Sequence, residues 1–552
     1  MIAEYLILKP MTSLEKCFPD EDLSARPSTD SFVMFANERL SFQVGVYNTH
    51  KSLERSPQME VRLGGDLAKY AAAKQVTSVP VQYPTSHVGF DTDMLRERPC
   101  LCPDPIRPLH YEGKLPLPPE LTQTLWIDVV LPEGFAAGTY SLTVGLYTET
   151  ESAETSVTVR VIGEVLPKQK LIHTEWFYTD CIAEVYHAKV FSERHWKLIE
   201  RYLRIAVANG INMILTPIFT LELDTAMYHY RMTTQLADIT VTGKNEYSFD
   251  LSKLDRWIDL CRKCGVEYYE IPHFFSQWGP FRAPKIVAKV NGKNKRIFGW
   301  ETEALGEEYR AFLTQFIPAV VECFKRNGVY DRTIFHISDE PADVHIPQYK
   351  KCRDFISPLI GDRPIIDALS HFEFYEQGIL KKPVPAIKSI APFLEHKVPG
   401  LWAYYCGNPP KQTGRCITMP GYRTRILGVQ LWKYNIEGFL HWGFDFYHNI
   451  YSYEVVDPLG DTGGEFFAPS GDAFVVYPGI DDTPWGSIRL NALREAVDDM
   501  RALDCLAEKK GRDTAEKVLA EAAGMDLTFT EYPRDNAFFG RLREMIAKAL
   551  AE

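Results

Sequence analysis

The 552-residue chain lacks any apolar run approaching the roughly 18 residues that a membrane-spanning helix needs. Its opening stretch, MIAEYLILKPMTSLEK, has neither the basic start nor the apolar length of a secretory signal. A basic surplus is missing as well: 61 Lys and Arg stand against 73 Asp and Glu, a net charge of -12. That balance excludes nucleic acid and membrane surfaces as expected partners, since both need clustered cations. The 11 cysteines have no framework spacing, and a chain of this length needs no staples, so a reducing, cytoplasmic setting is expected. Cys261 and Cys264 form CRKC within a helical pattern and have no matched second pair, which argues for buried thiols rather than zinc. There is no HExxH, no P-loop, no GxSxG elbow, no low-complexity tract and no solenoid repeat. Neither a metal nor a cofactor is expected.

What is present is an ordinary balance for a folded chain, 45% hydrophobic and 24% charged, with a high aromatic share of 12%. Aromatic residues fill cores, but in a large enzyme they also line sugar clefts, because ring faces stack on the C–H faces of pyranoses. The length predicts two to four domains at roughly 100–200 residues each, fewer if one is a large barrel. Residues 1–165 read as a β-sandwich. LTQTLWIDVVLPEGFAAGTYSLTVGLYTET (121–150) holds two alternating runs around a hairpin-type turn, with Tyr140, Leu142, Val144 and Leu146 on one face, and TSVTVRVIGEV adds a strand. The proline-rich segment 103–120 reads as a surface loop, and a boundary is expected near 166–170.

From there the pattern changes. SERHWKLIERYLRIAVANG opens on a serine cap, carries Trp196, Ile199, Leu203 and Val207 at helical spacing, ends on Asn-Gly and is followed by the short apolar strand INMILTP. The same unit recurs as LSKLDRWIDLCRKCG before VEYYEIPHF, and as TEALGEEYRAFLTQFIPAVVECFKRNG before TIFHISDEP. With LIHTEWF, PIIDALS, AIKSIAP, LWAYYCG and IEGFLHWGFDF, eight strands are predicted, with a hairpin such as ITVTGKNEYSF inserted between strand and helix. The expected fold class is therefore multidomain β and α/β: an N-terminal sandwich (1–165), a (β/α)8 TIM-like barrel (166–505) and a C-terminal helical tail packed on the barrel (506–552). A doubly wound sheet is the alternative, but no glycine-rich dinucleotide turn follows the first strand.

The fourth strand ends in SDEP, with Asp339 and Glu340 adjacent before Pro341. A negative helix start is the bland reading of this pair. However, barrels carry their chemistry at carboxyl strand ends, and two acids leaving a buried strand at a change of direction can turn inward together. Ordinary glycosidase carboxylates face each other roughly 5–10 Å apart from different strands. Neighbours have alpha carbons only about 3.8 Å apart and approach a ligand from one side. That arrangement fits substrate-assisted cleavage of 2-acetamido sugars, in which the sugar's own acetamido oxygen attacks C1. The other strand ends offer Trp176, His273, Tyr405, Trp442, Asp445 and Tyr447 as candidate sugar contacts, with Tyr405 chosen over Tyr404 as the inward residue. His336, of the same parity as Ser338, is expected to be a satisfied core histidine on the helix-facing side, and Trp432 to be core.

SDEP, LWAYYCGNPP, YRTRILGVQLWKYNIEGFLHWGFDFY and GDAFVVYPG…SIRLNALREAVDDMRAL together resemble glycoside hydrolase family 123, the β-N-acetylgalactosaminidases, and the related domain-of-unknown-function 4091 proteins. The resemblance spans most of residues 170–505, and LWIDVVLPEGFAAGTYSLTV is similar to the sandwich that precedes the barrel there. It implies that Asp339 orients the acetamido group and that Glu340 is the general acid and base, held protonated by burial and by its neighbour's charge. Two positions depart from the family pattern: Asp445 stands where Asn is expected, and Asn491 where Glu is usual. The implied function is a retaining exo-glycosidase releasing β-linked N-acetylgalactosamine or a close relative from a glycan. A non-catalytic sugar-binding barrel and a glycosidase using Asp445 as its own nucleophile are the alternatives.

Overall fold

The computed structural model describes residues 2–84, 93–109, 113–221, 223–407 and 410–552. Parts of three segments quoted above, residues 1, 110–112 and 408–409, thus lie outside the described residues. Two face-to-face sheets form the N-terminal region. One runs in the order Leu6–Thr12, Arg39–Asn48, Thr122–Val130, Ala71–Val81, Cys100–Pro108 and Gly486–Ser487. The other runs Ser31–Phe35, Ser152–Ile162, Gly138–Tyr147, Gln58–Gly64 and Lys114–Pro116. Period-two alternation buries Leu142, Val144 and Leu146 of one sheet in a cluster with Phe42, Leu125 and Ile127 of the other.

Two expectations for this region are corrected. Thr122–Val130 and Gly138–Tyr147 are not a hairpin but belong to opposite sheets, so residues 131–137 cross between layers, and Gly138–Tyr147 pairs instead with Ser152–Ile162. Alternation alone does not say which sheet a strand joins. Residues 103–108 are not loop but strand, next to the edge, where prolines lacking an N–H are tolerated.

The second region is built from parallel strands, here numbered β1 (Ile172–Glu175), β2 (Met213–Leu215), β3 (Tyr268–Ile271), β4 (Thr333–Phe335), β5 (Ile366–Ala368), β6 (Lys382–Val384), β7 (Trp402–Tyr404) and β8 (Gly438–His441). Six form one curled sheet in the order β4-β3-β2-β1-β8-β7, while β5 and β6 pair separately. Parallel bridges Phe335–Ile365 and Ala386–Tyr404 link the pair to β4 and β7. The predicted AIKSIAP strand is wrong: Ile387–Ser389 and Ala391–Glu395 are helical turns, and β6 lies just upstream in a segment whose prolines disguise it.

The helices follow their sequence punctuation. Glu193–Ala208 starts where the Ser192 hydroxyl accepts from the His195 N–H, and Gly210 behind it takes φ +84°. The hairpin Asp238–Gly243/Glu246–Asp250 is present, and with a second one, Ile286–Val290/Lys293–Phe298, it makes a four-stranded inserted sheet.

Buried polar contacts tie helix Ile488–Lys510 to the sandwich. Arg489 is paired with Asp104 at 2.8 Å, and Ser13 donates to Glu495 at 2.7 Å. Asn491 accepts from Ser41 and donates to Glu495, so its departure from the family pattern falls in this joint. The last helix, Ala537–Ala551, touches the sandwich as well, through Arg543 and Glu38 at 3.0 Å. Among the described residues, no helix is long and apolar enough to cross a membrane.

Candidate active site

Beyond β4 the chain is lifted out of the sheet and held. The carboxylate of Asp367, on β5, accepts the Ile337 N–H at 3.1 and 3.2 Å and the Tyr349 hydroxyl at 2.5 Å, and Ser338 donates its hydroxyl to the Ser276 carbonyl at 2.7 Å. The Asp339 carbonyl then accepts from Trp278 N–H at 2.9 Å, and Glu340 N–H donates to Ala368 at 3.1 Å. With both neighbours anchored, Glu340 adopts φ +44°, a left-handed conformation that costs an ordinary residue about 1–3 kcal/mol. This reversal cancels the usual opposition of adjacent side chains. Both carboxyls line one cavity of about 350 Å³.

Gln277 Nε2 donates to Asp339 Oδ2 at 2.9 Å, while Asp339 Oδ1 is buried without a partner. The Tyr404 hydroxyl donates to Glu340 Oε1 at 2.6 Å. Gln277 in turn accepts the Asp224 N–H at 2.8 Å. Burial first, then the charges of Glu340 and Asp224, holds the Asp339 carboxyl well above the usual range. Burial and Glu340 push Asp224 up to about 7. Asp472, in the same lining, accepts from Gly407 N–H at 2.9 Å and Trp442 Nε1 at 3.2 Å; burial would raise it, but His441 and Arg415 bring it below the usual value.

Of the residues predicted as contacts, Trp176 and Trp442 line this cavity with the acidic pair. The others do not. Tyr405 is buried against Phe439 and His441, and the cavity is met by Tyr404 instead, because the strand ends at Tyr404 and the alternation does not carry on to Tyr405. Asp445 is fully buried behind the wall, accepting from Tyr178 N–H at 2.8 Å, and burial lifts it well above the carboxylate range. Tyr447 is core, donating to the Val476 carbonyl at 2.9 Å. His273 lies below the floor against Trp176 and His336, its proton stripped by burial. Asp224, Gln277, Trp278, Lys388 and Asp472 also line it and were not predicted: the first three sit on loops without a motif, Lys388 on the helical turn mistaken for a strand, and Asp472 in the quoted GDAFVVYPG block.

The floor is an interior polar network. Glu270 on β3 accepts from Trp176 Nε1 at 2.8 Å and from Thr174 at 2.5 Å, and sits 2.7 Å from His336 Nε2, whose Nδ1 is 3.1 Å from Asp367. Burial would deprotonate His336, but the two carboxylates prevail and raise it to about 10. His336 is thus a satisfied core histidine as expected, but it points at groups from β3 and β5 rather than at the helices. Ligand-type atoms also gather at Asp180, Cys181, Glu184 and His448. There Arg231 already supplies a cation, 2.7 Å from Asp180 and 3.3 Å from Cys181. Cys261 and Cys264 lie buried on one helix.

A tethered acid pair in a small cleft walled by three tryptophans suits cleavage of a glycosidic bond. Comparisons with known proteins agree. No curated protein matches the chain by sequence. In structure it is similar to a family 123 glycoside hydrolase from Clostridium perfringens, the subject of a study of glycolipid glycan hydrolysis, with TM-score 0.74 and 15% identity over 99% of this chain and 98% of that one. Far weaker likenesses are a β-glucuronidase from Parabacteroides merdae (TM-score 0.31, 13% identity, 85% of this chain and 49% of that one) and an endo-β-1,4-mannanase from Thermotoga petrophila (TM-score 0.34, 11%, 60% and 77%). The glycoside hydrolase 123 catalytic domain matches residues 176–506, more than half of the sequence. The chain belongs to glycoside hydrolase family 123.

Proposed function

We propose that this protein is a retaining exo-glycosidase that releases terminal β-linked N-acetylgalactosamine, or a closely related 2-acetamido sugar, by substrate assistance. The observation that carries the proposal is the convergence of Asp339 and Glu340, adjacent in sequence, on one cavity. The vacant Oδ1 of Asp339 is suited to accept the acetamido N–H. That hydrogen bond favours the ionised form of Asp339, which leaves Glu340 the role of proton donor. The acetamido oxygen attacks C1 and the C1–O bond breaks. Glu340 protonates the departing oxygen, leaving a cyclic oxazolinium. Glu340, now a carboxylate, takes a proton from the water that opens the ring, giving net retention. Trp176 and Trp442 wall the ring, and Asp472 and Lys388 are available to its hydroxyls.

The eight parallel strands and their two linking bridges support reading residues 166–505 as a closed (β/α)8 barrel, with 1–165 as the sandwich and 506–552 as the tail. The glycolipid glycan described for the Clostridium perfringens enzyme agrees with a glycan substrate here.

The test is a panel of nitrophenyl 2-acetamido glycosides. Glu340→Gln is expected to lower turnover of poor leaving groups by about 10²–10⁴-fold, and Asp339→Asn to impair good leaving groups as well. Near-normal rates in Asp339→Asn would overturn the mechanism.

A second reading is favoured by Asp224 and Asp472, carboxyls of the same cavity that offer a protein nucleophile for sugars without an acetamido group. A thiazoline mimic of the oxazoline separates the two, because it inhibits only the substrate-assisted enzyme.

A further inference from the structure

A second cavity, also of about 350 Å³, opens where the sandwich meets the end of helix Glu193–Ala208 and residues 483–487. Asn209, in its wall, lies just before β2, whereas the acid pair follows β4, so the two cavities sit at opposite ends of the parallel strands. The sandwich side of the wall follows from strand alternation. Ser41 stands opposite Asp128 and Lys74 opposite Trp126, and Arg39 is two residues from Ser41. Their neighbours Phe42, Leu125 and Ile127 enter the sandwich core, so Arg39, Lys74, Trp126 and Asp128 are turned outward to the cavity.

Three cations and one carboxylate line this space, and the pairing among them is unequal. Lys74 is 2.8 Å from Asp128, whose carboxylate also accepts from the Ser41 hydroxyl at 2.7 Å and from Trp126 Nε1 at 2.9 Å. Arg204 is held by Glu200 of its own helix at 2.7 Å. Arg39 has no such partner. Its Nη2 donates to the neutral Asn209 Oδ1 at 2.6 Å, its Nε is buried without an acceptor, and it enters no ion pair among the described residues. Burial first, then the charge of Arg494, pulls the guanidinium down to about 10, although Asp128, Asp498 and Glu495 oppose the shift. A half-buried cation resting on a neutral amide, beside a space of ligand size, is short of one negative charge.

We propose that this cavity is a second ligand site, binding a small ring compound that carries an oxyanion group, a carboxylate or a phosphate ester, with Arg39 as its counter-ion. The planar guanidinium matches both oxyanions. Trp485, Ile106 and Pro484 provide an apolar wall for the ring. The site does not depend on the proposed function. Because its walls come from the sandwich and from elements that pack on it, a ligand bound there stabilises the joint.

Calorimetric titration of the full chain with phenyl phosphate, benzoate and uncharged benzyl alcohol tests it. Wild type is expected to bind at least one of the anions tenfold or more tightly than benzyl alcohol, more weakly as salt is added, and to melt at a higher temperature when bound. Binding of either anion supports the site and identifies the head group. Arg39→Gln is expected to weaken that binding about 10–100-fold. Asn209→Asp sets a carboxylate against the same guanidinium and is expected to weaken it as much with Arg39 still in place. Wild type that binds neither anion, equal binding of benzyl alcohol, or anion binding unchanged in Asn209→Asp overturns the proposal. Inorganic phosphate that binds as tightly as phenyl phosphate overturns the role of the apolar wall.

Discussion

The phenol of Tyr404 donates to Glu340 Oε1 at 2.6 Å, whereas the phenol of Tyr405, one residue on, is buried without a partner. The contrast gives a paired prediction. Tyr404→Phe removes a hydrogen bond that reaches its charge-assisted strength, about 1.5–3 kcal/mol, once Glu340 has given up its proton, so kcat/KM is expected to fall roughly 10–100-fold. Tyr405→Phe removes a hydroxyl that satisfies nothing, so its rate is expected within about twofold of wild type and its melting temperature unchanged or higher. Steady-state kinetics and thermal melting check both. The opposite ranking would mean that Tyr405 is the ligand contact.

Asp224 links the site to the pH dependence of stability. Its folded value of about 7 exceeds the roughly 3.9 of an unfolded aspartate, so between those limits the folded state keeps a proton the unfolded chain has released. Stability must therefore fall as pH rises through this window and level off above it. Asp224→Asn keeps the shape, tolerates the left-handed backbone and removes the titration. Its melting temperature is expected to match wild type near pH 4 and to exceed it at pH 8, for a difference of at most a few kcal/mol. A gap that is constant with pH would refute the assignment.

The large features were legible in the sequence because they rest on periodicity and punctuation. Helix Glu193–Ala208 is marked by its serine cap and Gly210, and seven of the eight strands lie within the apolar runs that announce them. What escaped is decided by partners far along the chain. Which sheet takes Gly138–Tyr147 depends on Ser152–Ile162, and β6 is three residues hidden between prolines. At the site the acid pair was visible as SDEP, but its convergence depends on a positive φ at Glu340 enforced by Ala368 and Trp278. Gln277 and Asp224 meet Asp339 only through loop geometry, and the choice between Tyr404 and Tyr405 turned on where the strand ends.

Asp445, one of the two departures from the family pattern, lies behind the cavity wall with Oδ2 buried and unpartnered. Burial and nearby Asp180 raise it well above its ordinary value, so its cost to stability grows as pH climbs from about 4. Asp445→Asn is expected to be more stable than wild type at pH 7, with the advantage shrinking toward pH 4, and to retain turnover within about tenfold. Loss of all turnover, with the fold intact by circular dichroism, would restore Asp445 as a nucleophile.

His336 is the cation between Glu270 and Asp367 beneath the floor. Its raised value, about 10, against roughly 6.5 when unfolded, means that its contribution is complete below about pH 6.5 and is lost as pH rises through 10. Removing it leaves two buried carboxylates uncompensated, a loss of about 3–5 kcal/mol. His336→Ala is therefore expected to shift the denaturant midpoint strongly at pH 6, and the gap to wild type should narrow at pH 9.5. Because Glu270 also holds the Trp176 indole at 2.8 Å, the variant is expected to bind sugar more weakly at pH 6 even where it remains folded. A gap of equal size at both pH values would mean that His336 acts through its shape and not through its charge.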